Sequence, residues 1–169
     1  MNDPAEQAGI DPVHRLTILA AALPGAAVRQ RRIAAPFHAV WRVIADLENS
    51  TPRYEPGVTR VRLTHRHGQR VQLTVTHSDG REEPATATLR PGWCLMQSAT
   101  AVVAFAAIPI GSQTQLAHLE HRRGPAPAPG ASRSRQRRAA LAKIDQELHA
   151  IERLATHNMN GPGESHTTM

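Results

Sequence analysis

Aromatic residues are scarce in this sequence, which has two Phe, two Trp and one Tyr among its 169 residues. Aromatic side chains are the largest core fillers, so alanine and the aliphatic residues must supply most of the interior. A chain of this length is expected to fold as one domain that buries enough surface to be stable without cross-links. Small fillers in such a domain leave room for an internal space.

Cysteine is almost absent, because Cys94 is the only one. An internal disulfide and a cysteine-based zinc site are therefore excluded, and the sequence fits a reducing compartment. The N-terminal residues carry Asp3 and Glu6 where a signal peptide would be basic, and the apolar run 17–23 is too short to span a bilayer. We expect a cytoplasmic protein without a membrane span.

Lysine is represented only by Lys143, yet the net charge is +6 because arginine is abundant. Six arginines cluster in a basic segment, residues 122–138: Arg122, Arg123, Arg133, Arg135, Arg137 and Arg138. Such a segment is either compositional or attracts an acidic partner or a peripheral anionic surface. Aromatic residues that would stack on bases do not alternate with these arginines, so the pattern does not favour nucleic acid.

Motifs for nucleophilic catalysis and phosphate binding are missing, including GxSxG, GxGxxG and the P-loop. His118 and His121 are three apart in an expected strand and so lie on opposite faces, which disfavours joint metal binding. We therefore predict no metal and no cofactor. His77 and Glu83 fall near one hairpin end, where they are either a candidate acid–base pair or simply solvated.

Periodicity predicts a strand at 28–33 and then a helix that Ala35-Pro36 opens, because proline is tolerated at the first helical position; its apolar face carries Phe37, Val40, Trp41 and Ile44. Pro52 to Pro56 allows one further short helical turn, which carries Tyr54. From Val58 the period changes to two, which predicts a meander of six antiparallel strands.

The hairpin turns predict which strand residues face inward. Three-residue loops place Leu63 opposite Val71 and Leu73 opposite Ala85. A three-residue turn at 90–92 places Trp93 and Leu95 inward and Cys94 outward. Continuing this phase points four residues of the last strand inward, namely Gln115, Ala117, Leu119 and His121.

The C-terminal part is predicted to be a connecting loop at 124–131 followed by a long helix. Ser132 or Ser134 can cap this helix, which is expected to end near Thr156. Its apolar stripe contains Leu141, Ile144, Leu148, Ile151 and Ala155. The expected organisation is a partly ordered lead-in at 1–25, one domain at 26–156 and a flexible tail at 157–169.

The opening of this domain resembles that of START-like proteins, also called the SRPBCC superfamily, which includes polyketide cyclase/dehydratase-like and lipid-transport proteins. The resemblance rests on Ile33-Ala34-Ala35-Pro36, Val40-Trp41, Ala45-Asp46-Leu47, the run 54–58, and Pro91-Gly92. It implies an α+β helix-grip fold, in which a curved antiparallel sheet wraps around the long C-terminal helix and encloses an apolar cavity.

Three hypotheses of function follow. The first is binding or carriage of a hydrophobic small molecule or lipid in that cavity. The second is a cyclase/dehydratase-type enzyme that uses the same cavity, and a cluster of titratable groups with shifted pKa values inside it would favour this hypothesis. The third is an arginine-rich interaction module for an acidic partner. The predicted ligand-binding residues are Trp41, Tyr54, Leu73, Ala85, Leu95, Gln97, Phe105, Gln115, His121, Leu148 and Ile151.

Overall fold

The computed structural model describes residues 9–125 and 130–159. Its elements, in chain order, are α1 (Pro12–Ala22), β1 (Ala27–Ile33), α2 (Phe37–Ala45), α3 (Leu47–Tyr54), β2 (Val58–His67), β3 (Arg70–His77), β4 (Glu82–Arg90), β5 (Trp93–Ser98), β6 (Ala101–Ile110), β7 (Gln113–Arg122) and α4 (Ala131–Met159). Most of the expected lead-in before α1, part of the expected loop and most of the expected tail lie outside the described residues.

The seven strands form one antiparallel sheet in the order β1-β7-β6-β5-β4-β3-β2. Strands β2 to β7 form a meander, in which each strand pairs with the next one along the chain. Strand β1 pairs with β7 and is an edge strand of the sheet. The sheet is curved, and the long helix α4 packs on its concave face together with α2 and α3. The architecture is the α+β helix-grip arrangement that the sequence predicted.

The two faces of the sheet bury separate sets of side chains. The larger core lies on the concave face and combines β-strand residues such as Leu73 and Phe105 with Ile144 and Leu148 of α4. The smaller core lies on the convex face, where Leu16 of α1 packs against the sheet. Helix α1 is capped by Asp11, whose carboxylate accepts a hydrogen bond from the backbone N–H of His14 at 2.9 Å.

The apolar stripe predicted for α4 is the face that it buries. Ile144, Leu148, Ile151 and Ala155 are all at most 1% exposed. The spacing of three and four residues places them on one side of the helix, so this side packs against the concave face. Glu147 lies on the same side and is completely buried, which a purely apolar stripe does not explain.

The predicted register of the first hairpins is partly confirmed. Leu73 lies opposite Ala85, as predicted. Strand β2 continues through His67, so the loop comes later in the chain than expected, and Leu63 lies opposite Leu73 instead of Val71. A β-bulge between Leu63 and His65 restores the phase, so the apolar residues still face the core.

The predicted phase of β5 is wrong. Arg90 pairs directly with Trp93, so the turn contains only Pro91 and Gly92, and φ of Gly92 is +77°. Proline followed by a glycine with positive φ is the signature of a tight two-residue turn. One residue fewer in the loop reverses the faces, so Cys94 points to the concave side and Leu95 to the convex side.

The predicted phase of β7 is also wrong, because the inward residue Phe105 pairs with an even-numbered residue of β7 and not with an odd-numbered one. Ile110 pairs with Gln113 across a two-residue loop, so Phe105 lies opposite His118. The concave face of β7 therefore carries His118 and Glu120. The four residues predicted to point inward, namely Gln115, Ala117, Leu119 and His121, are instead in the convex phase.

Candidate functional site

A cavity of about 340 Å³ opens at one end of the concave face. It lies between the α3–β2 connection, the β3–β4 and β5–β6 turns, the end of β7 and helix α4. Its apolar wall is made by Tyr54, Val58, Val61, Val75, Ala85, Met96, Val102, Val103 and Phe105. Small and branched side chains dominate this wall, which is why the scarcity of aromatic residues leaves space there.

Of the predicted ligand-binding residues, Tyr54, Ala85, Phe105 and His121 line this cavity. Tyr54 and Phe105 are almost fully buried and meet edge to face, with ring centroids 5.8 Å apart. His121 reaches the rim from a strand position whose phase is convex.

The other predicted residues lie elsewhere. Leu73, Leu148 and Ile151 are buried in the main core and do not line the cavity. Trp41 is half-buried on α2, where it stacks on Phe37. The phase errors misplaced the remaining three residues. Leu95 packs under α1, Gln97 is hydrogen-bonded to Arg123, and Gln115 is hydrogen-bonded to Gln30.

The inner end of the cavity holds a group of five ionisable residues, here named the charged corner: Glu55, His118, Glu120, Lys143 and Glu147. The His118 Nε2 atom lies 2.5 Å from Oε2 of Glu147. The Lys143 Nζ atom donates to Oε2 of Glu55 at 2.6 Å and to Oε1 of Glu120 at 2.5 Å. It also lies 2.7 Å from Oε1 of Glu147, but outside hydrogen-bond geometry.

Three elements bring these residues together. Alternation along β7 places His118 and Glu120 on the same face, and a spacing of four in α4 places Lys143 and Glu147 on one side of the helix. Glu55 follows directly after α3, where its Oε1 atom also accepts the backbone N–H of Gly57 at 2.9 Å.

His118 is held in one orientation. Its Nδ1 atom is 3.1 Å from the carbonyl oxygen of Ala104, and its ring stacks on Phe105 with centroids 4.0 Å apart. Burial alone would lower the pKa of His118, but hydrogen bonds and charges from Glu120 and Glu147 outweigh burial and raise that pKa to about 9. The ring therefore carries a proton at neutral pH and donates from both nitrogens.

The surroundings of Glu147 favour its neutral form, whereas those of His118 favour its charged form. Burial, together with the neighbouring carboxylate of Glu55, raises the pKa of Glu147 to about 7, although the bond to His118 pulls it down. Burial acts against ionisation of Glu120 too, yet His118 and Lys143 lower its pKa to about 2. Near neutral pH the charged corner thus contains one carboxyl group that gains and loses a proton easily.

The charged corner also has the residue types of a metal site. Ligand atoms of His118, Glu120 and Glu147 all lie within 4.8 Å of one another. The ammonium group of Lys143 already contacts both carboxylates at 2.5 and 2.7 Å, so it takes the position that a cation would need. The protein's own lysine supplies the positive charge there.

A second polar group lies at the mouth of the cavity, named the mouth cluster: His77, Glu83 and Thr100. Glu83 accepts hydrogen bonds from the backbone N–H of Thr100 at 3.1 Å and from its hydroxyl at 2.8 Å, and lies 3.2 Å from Nε2 of His77. Burial opposes ionisation of Glu83, but these bonds lower its pKa overall. The cluster ties the β3–β4 hairpin to the β5–β6 turn.

Sequence reasoning missed all five members of the charged corner as site residues, and two signals were available. Glu147 interrupts the apolar stripe between Ile144 and Leu148, a position where an unpaired carboxylate would be costly. Lys143 is the single lysine of an arginine-rich chain and lies four residues before Glu147. Neither signal reveals the partners on β7, because the predicted phase of that strand was reversed.

The predicted basic segment is exposed where it is described. Arg133, Arg135, Arg137 and Arg138 lie on the first turns of α4, and no ion pair joins them to the described residues. Over residues 9–125 and 130–159, no helix is long and apolar enough to cross a membrane.

Comparison with known proteins gives matches in structure only. No protein-family model and no curated protein sequence matches the chain. Among solved structures, the protein TTHA0849 from Thermus thermophilus superposes with a TM-score of 0.63 at 17% identity, covering 79% of this chain and 98% of that one. A START superfamily protein from Mycobacterium smegmatis gives 0.57 at 15% identity, covering 79% and 98%.

The ZhuI aromatase/cyclase from Streptomyces sp. R1128 gives a TM-score of 0.58 at 16% identity, covering 82% of this chain and 97% of that one. These likenesses extend over almost the whole of each compared structure. The match includes a START superfamily protein, and the sheet and terminal helix observed here have the same arrangement. The chain therefore has the helix-grip fold of START-like proteins.

Proposed function

We propose that the chain binds a small molecule with an apolar body in the cavity on its concave face. The observation that carries this proposal is the cavity itself, which has an apolar wall and one charged corner. Ligand sites are typically concave, mostly apolar and provided with a few convergent polar groups. Likeness in fold to a START superfamily protein and to an aromatase/cyclase supports the same interpretation.

The size of the cavity limits the ligand. Its volume of about 340 Å³ is near the lower end of the roughly 300–1,000 Å³ typical of small-molecule sites. A compact molecule of two or three fused rings suits this space better than a lipid with two acyl chains. The closely packed residues Leu73, Leu148 and Ile151 close off deeper extension into the core.

A pair of variants on one strand tests this proposal. Val103→Trp fills the cavity, whereas Ile108→Trp places the same side chain at a half-buried position of β6 that does not line it. We expect titration with 2-methylnaphthalene to give binding to the unchanged protein and to Ile108→Trp, and none to Val103→Trp. Equal binding by both variants would contradict the proposal, as would no binding by the unchanged protein.

A second candidate function is acid–base transformation of the bound molecule, of the cyclase/dehydratase type. The specific observation is the charged corner, where Glu147 has a pKa of about 7 beside a protonated His118. A group of this kind exchanges protons readily at neutral pH, which general acid–base catalysis requires. His118 lines the cavity and would contact the substrate. Glu147, which is bonded to His118, would hold the His118 ring in position and exchange a proton with it.

Glu147→Gln tests this candidate, because the amide keeps the size of the side chain and cannot ionise. If the chain is an enzyme, the variant should bind substrate as before while its kcat falls by about a hundredfold. The rate of the unchanged protein should have an inflection near pH 7, which the variant should lack. A variant with the full rate and the same pH profile would exclude this role for Glu147.

A further inference from the structure

The hydrogen-bonding groups of the charged corner are unequal in number, and the excess is of acceptors. The three carboxylates provide six oxygens. Glu55 uses both of its oxygens, one for Gly57 and one for Lys143. Glu120 uses only Oε1, and within the described residues its Oε2 atom has no hydrogen-bond donor.

Glu147 is in a similar state. Its Oε2 atom is bonded to His118, but its Oε1 atom is fully buried and has no hydrogen-bond donor among the described residues. Buried polar atoms are nearly always paired, so such an atom needs an explanation. The nearest cation, Lys143, contacts it without the alignment of a hydrogen bond.

Donors, in contrast, are few. Lys143 uses two of its three N–H bonds for Glu55 and Glu120, and the third faces Oε1 of Glu147 at 2.7 Å without hydrogen-bond geometry. Protonated His118 directs one nitrogen to Ala104 and the other to Glu147. The cations of the corner are therefore already paired with carboxylates of the protein, and an anionic group of a ligand would have to compete with those carboxylates.

The net charge agrees with this count. With His118 and Lys143 protonated, the corner carries a net charge of −1 when all three carboxylates are ionised, and of zero when Glu147, whose pKa is about 7, holds a proton. An anionic ligand group would add to this charge in a poorly solvated place, whereas a cation or a neutral donor would relieve it. Arg81 and Arg122 also line the cavity, but both are exposed to solvent, which screens their charges.

We infer that the ligand carries a hydrogen-bond-donating group, an ammonium or a phenolic hydroxyl, which enters the charged corner and donates to Glu120. This inference rests on the proposed function, because it assigns the polar end of the molecule whose apolar body fills the cavity. It excludes a ligand whose carboxylate is held in the corner, such as a fatty acid inserted head first.

Four naphthalene probes of nearly equal size test the inference by isothermal titration calorimetry at pH 7. They are 2-(aminomethyl)naphthalene, 2-naphthol, 2-methylnaphthalene and 2-naphthoate. The two donor probes should bind at least about tenfold more tightly than 2-methylnaphthalene, since a hydrogen bond to a charged group contributes that much. The carboxylate probe should bind more weakly than 2-methylnaphthalene.

Glu120→Gln locates the preference. The amide replaces one acceptor by a donor, so the advantage of the two donor probes should fall below about threefold, and 2-naphthoate should bind more tightly than before. Affinity for 2-methylnaphthalene should stay the same. The matched control is Glu82→Gln, an exposed carboxylate on β4, which should change none of the four affinities.

The outcomes separate the two proposals. If all four probes bind with equal affinity, or if the carboxylate probe binds best, the inference about the donor group is wrong and the cavity remains a binding site. If the donor preference survives in Glu120→Gln, the inference is also wrong. If no probe binds to the unchanged protein, the proposed function itself fails. If Glu120→Gln does not fold, the ranking of the four affinities for the unchanged protein still tests whether the ligand site prefers a donor group.

Discussion

Glu83 and Glu147 both expose little of their surfaces to solvent, 7% and 0%, but protein surrounds Glu147 much more completely. Glu83 is surrounded by donors, and its pKa is lowered despite burial. Glu147 has one strong partner and one unpaired oxygen, and its pKa is raised. The comparison teaches that low solvent exposure alone does not fix the direction in which the pKa of a carboxyl group shifts.

What distinguishes the two is the completeness of their hydrogen bonding. The mouth cluster joins two turns with bonds that satisfy its carboxylate, which is the arrangement of a structural connection. The charged corner has more acceptors than donors and a carboxyl group that titrates near neutral pH, which is the arrangement expected where something else must bind. Four predictions test this difference, from the largest expected effect to the smallest.

The largest effect is expected for Leu148→Asp. This variant adds a carboxylate to the concave face that has neither hydrogen-bond donors, as Glu83 has, nor a cationic partner, as Glu147 has in His118. Leu148 is 1% exposed, so the new group must be buried unpaired or become neutral. We expect the free energy of unfolding to fall by about 4 kcal/mol or more, enough to unfold the domain. Thermal denaturation measures this, with exposed Gln146→Asp as the control. An unchanged melting temperature would mean that α4 is not packed in the grip.

A smaller loss is expected for Lys143→Met, which removes the cation shared by three carboxylates. Breaking a partly buried ion-pair network should lower the free energy of unfolding by roughly 3 kcal/mol at pH 7. The remaining carboxylates repel one another, so protonation should restore part of the stability at pH 5. Chemical denaturation at the two pH values measures both effects. Arg138→Met, which removes an exposed charge, should leave the free energy of unfolding unchanged. An equally small effect of Lys143→Met would show that its ion pairs with the three carboxylates do not stabilise the fold.

The unchanged protein should be most stable in mildly acidic solution. His118 has a pKa raised from 6.5 to about 9, so its contribution is complete below pH 6.5 and is lost as the pH rises through 9. Glu147, raised from 4.5 to about 7, also favours the folded state more as the pH falls towards 4.5.

Glu120 acts in the other direction, because its pKa is lowered from 4.5 to about 2, and its contribution is lost as the pH falls below 4.5. The free energy of unfolding should therefore be greatest near pH 5–6 and should fall by roughly 2 kcal/mol towards pH 9. Urea denaturation across this range measures the curve. A maximum above pH 8 would show that His118 is neutral in the folded protein.

The smallest effect is expected for Glu83→Gln. The amide keeps one acceptor oxygen for Thr100, so we expect a loss of only about 1 kcal/mol in the free energy of unfolding. Because the folded pKa of Glu83 is lowered, the loss should be present at pH 7 and should vanish in acid. Affinities for the naphthalene probes should not change, and a changed ranking would assign the mouth cluster to the ligand site.

Local patterns were enough to predict the order of elements, since spacing in α4 and alternation in the strands depend only on neighbouring residues. The register of β3 on β4 could also be predicted from sequence, because a three-residue loop puts the apolar residues Leu73 and Ala85 opposite each other on the same face. The buried face of α4 could be predicted from Ile144, Leu148 and Ile151 for the same reason.

The charged corner could not be predicted, because it depends on long-range contacts. The tight turn at Pro91-Gly92 contains one residue fewer than expected, which exchanges the two faces of β5, and the face of β7 was fixed only by the pairing of Phe105 with His118. His118 and Glu120 were therefore assigned with the wrong phase. Their partner Glu147 is 29 positions from His118, and Glu55 and Lys143 are 88 positions apart.

The sequence by itself determined the elements and the apolar face of each, because these follow from the 3.6-residue and two-residue periods. It also determined that the concave face would be lined by small side chains, because it offers few aromatic ones. Only the tertiary structure decided which ionisable groups meet at the end of the cavity. Their pKa values and their shortage of donors arise from burial and from distances between separate elements, and no local pattern encodes either.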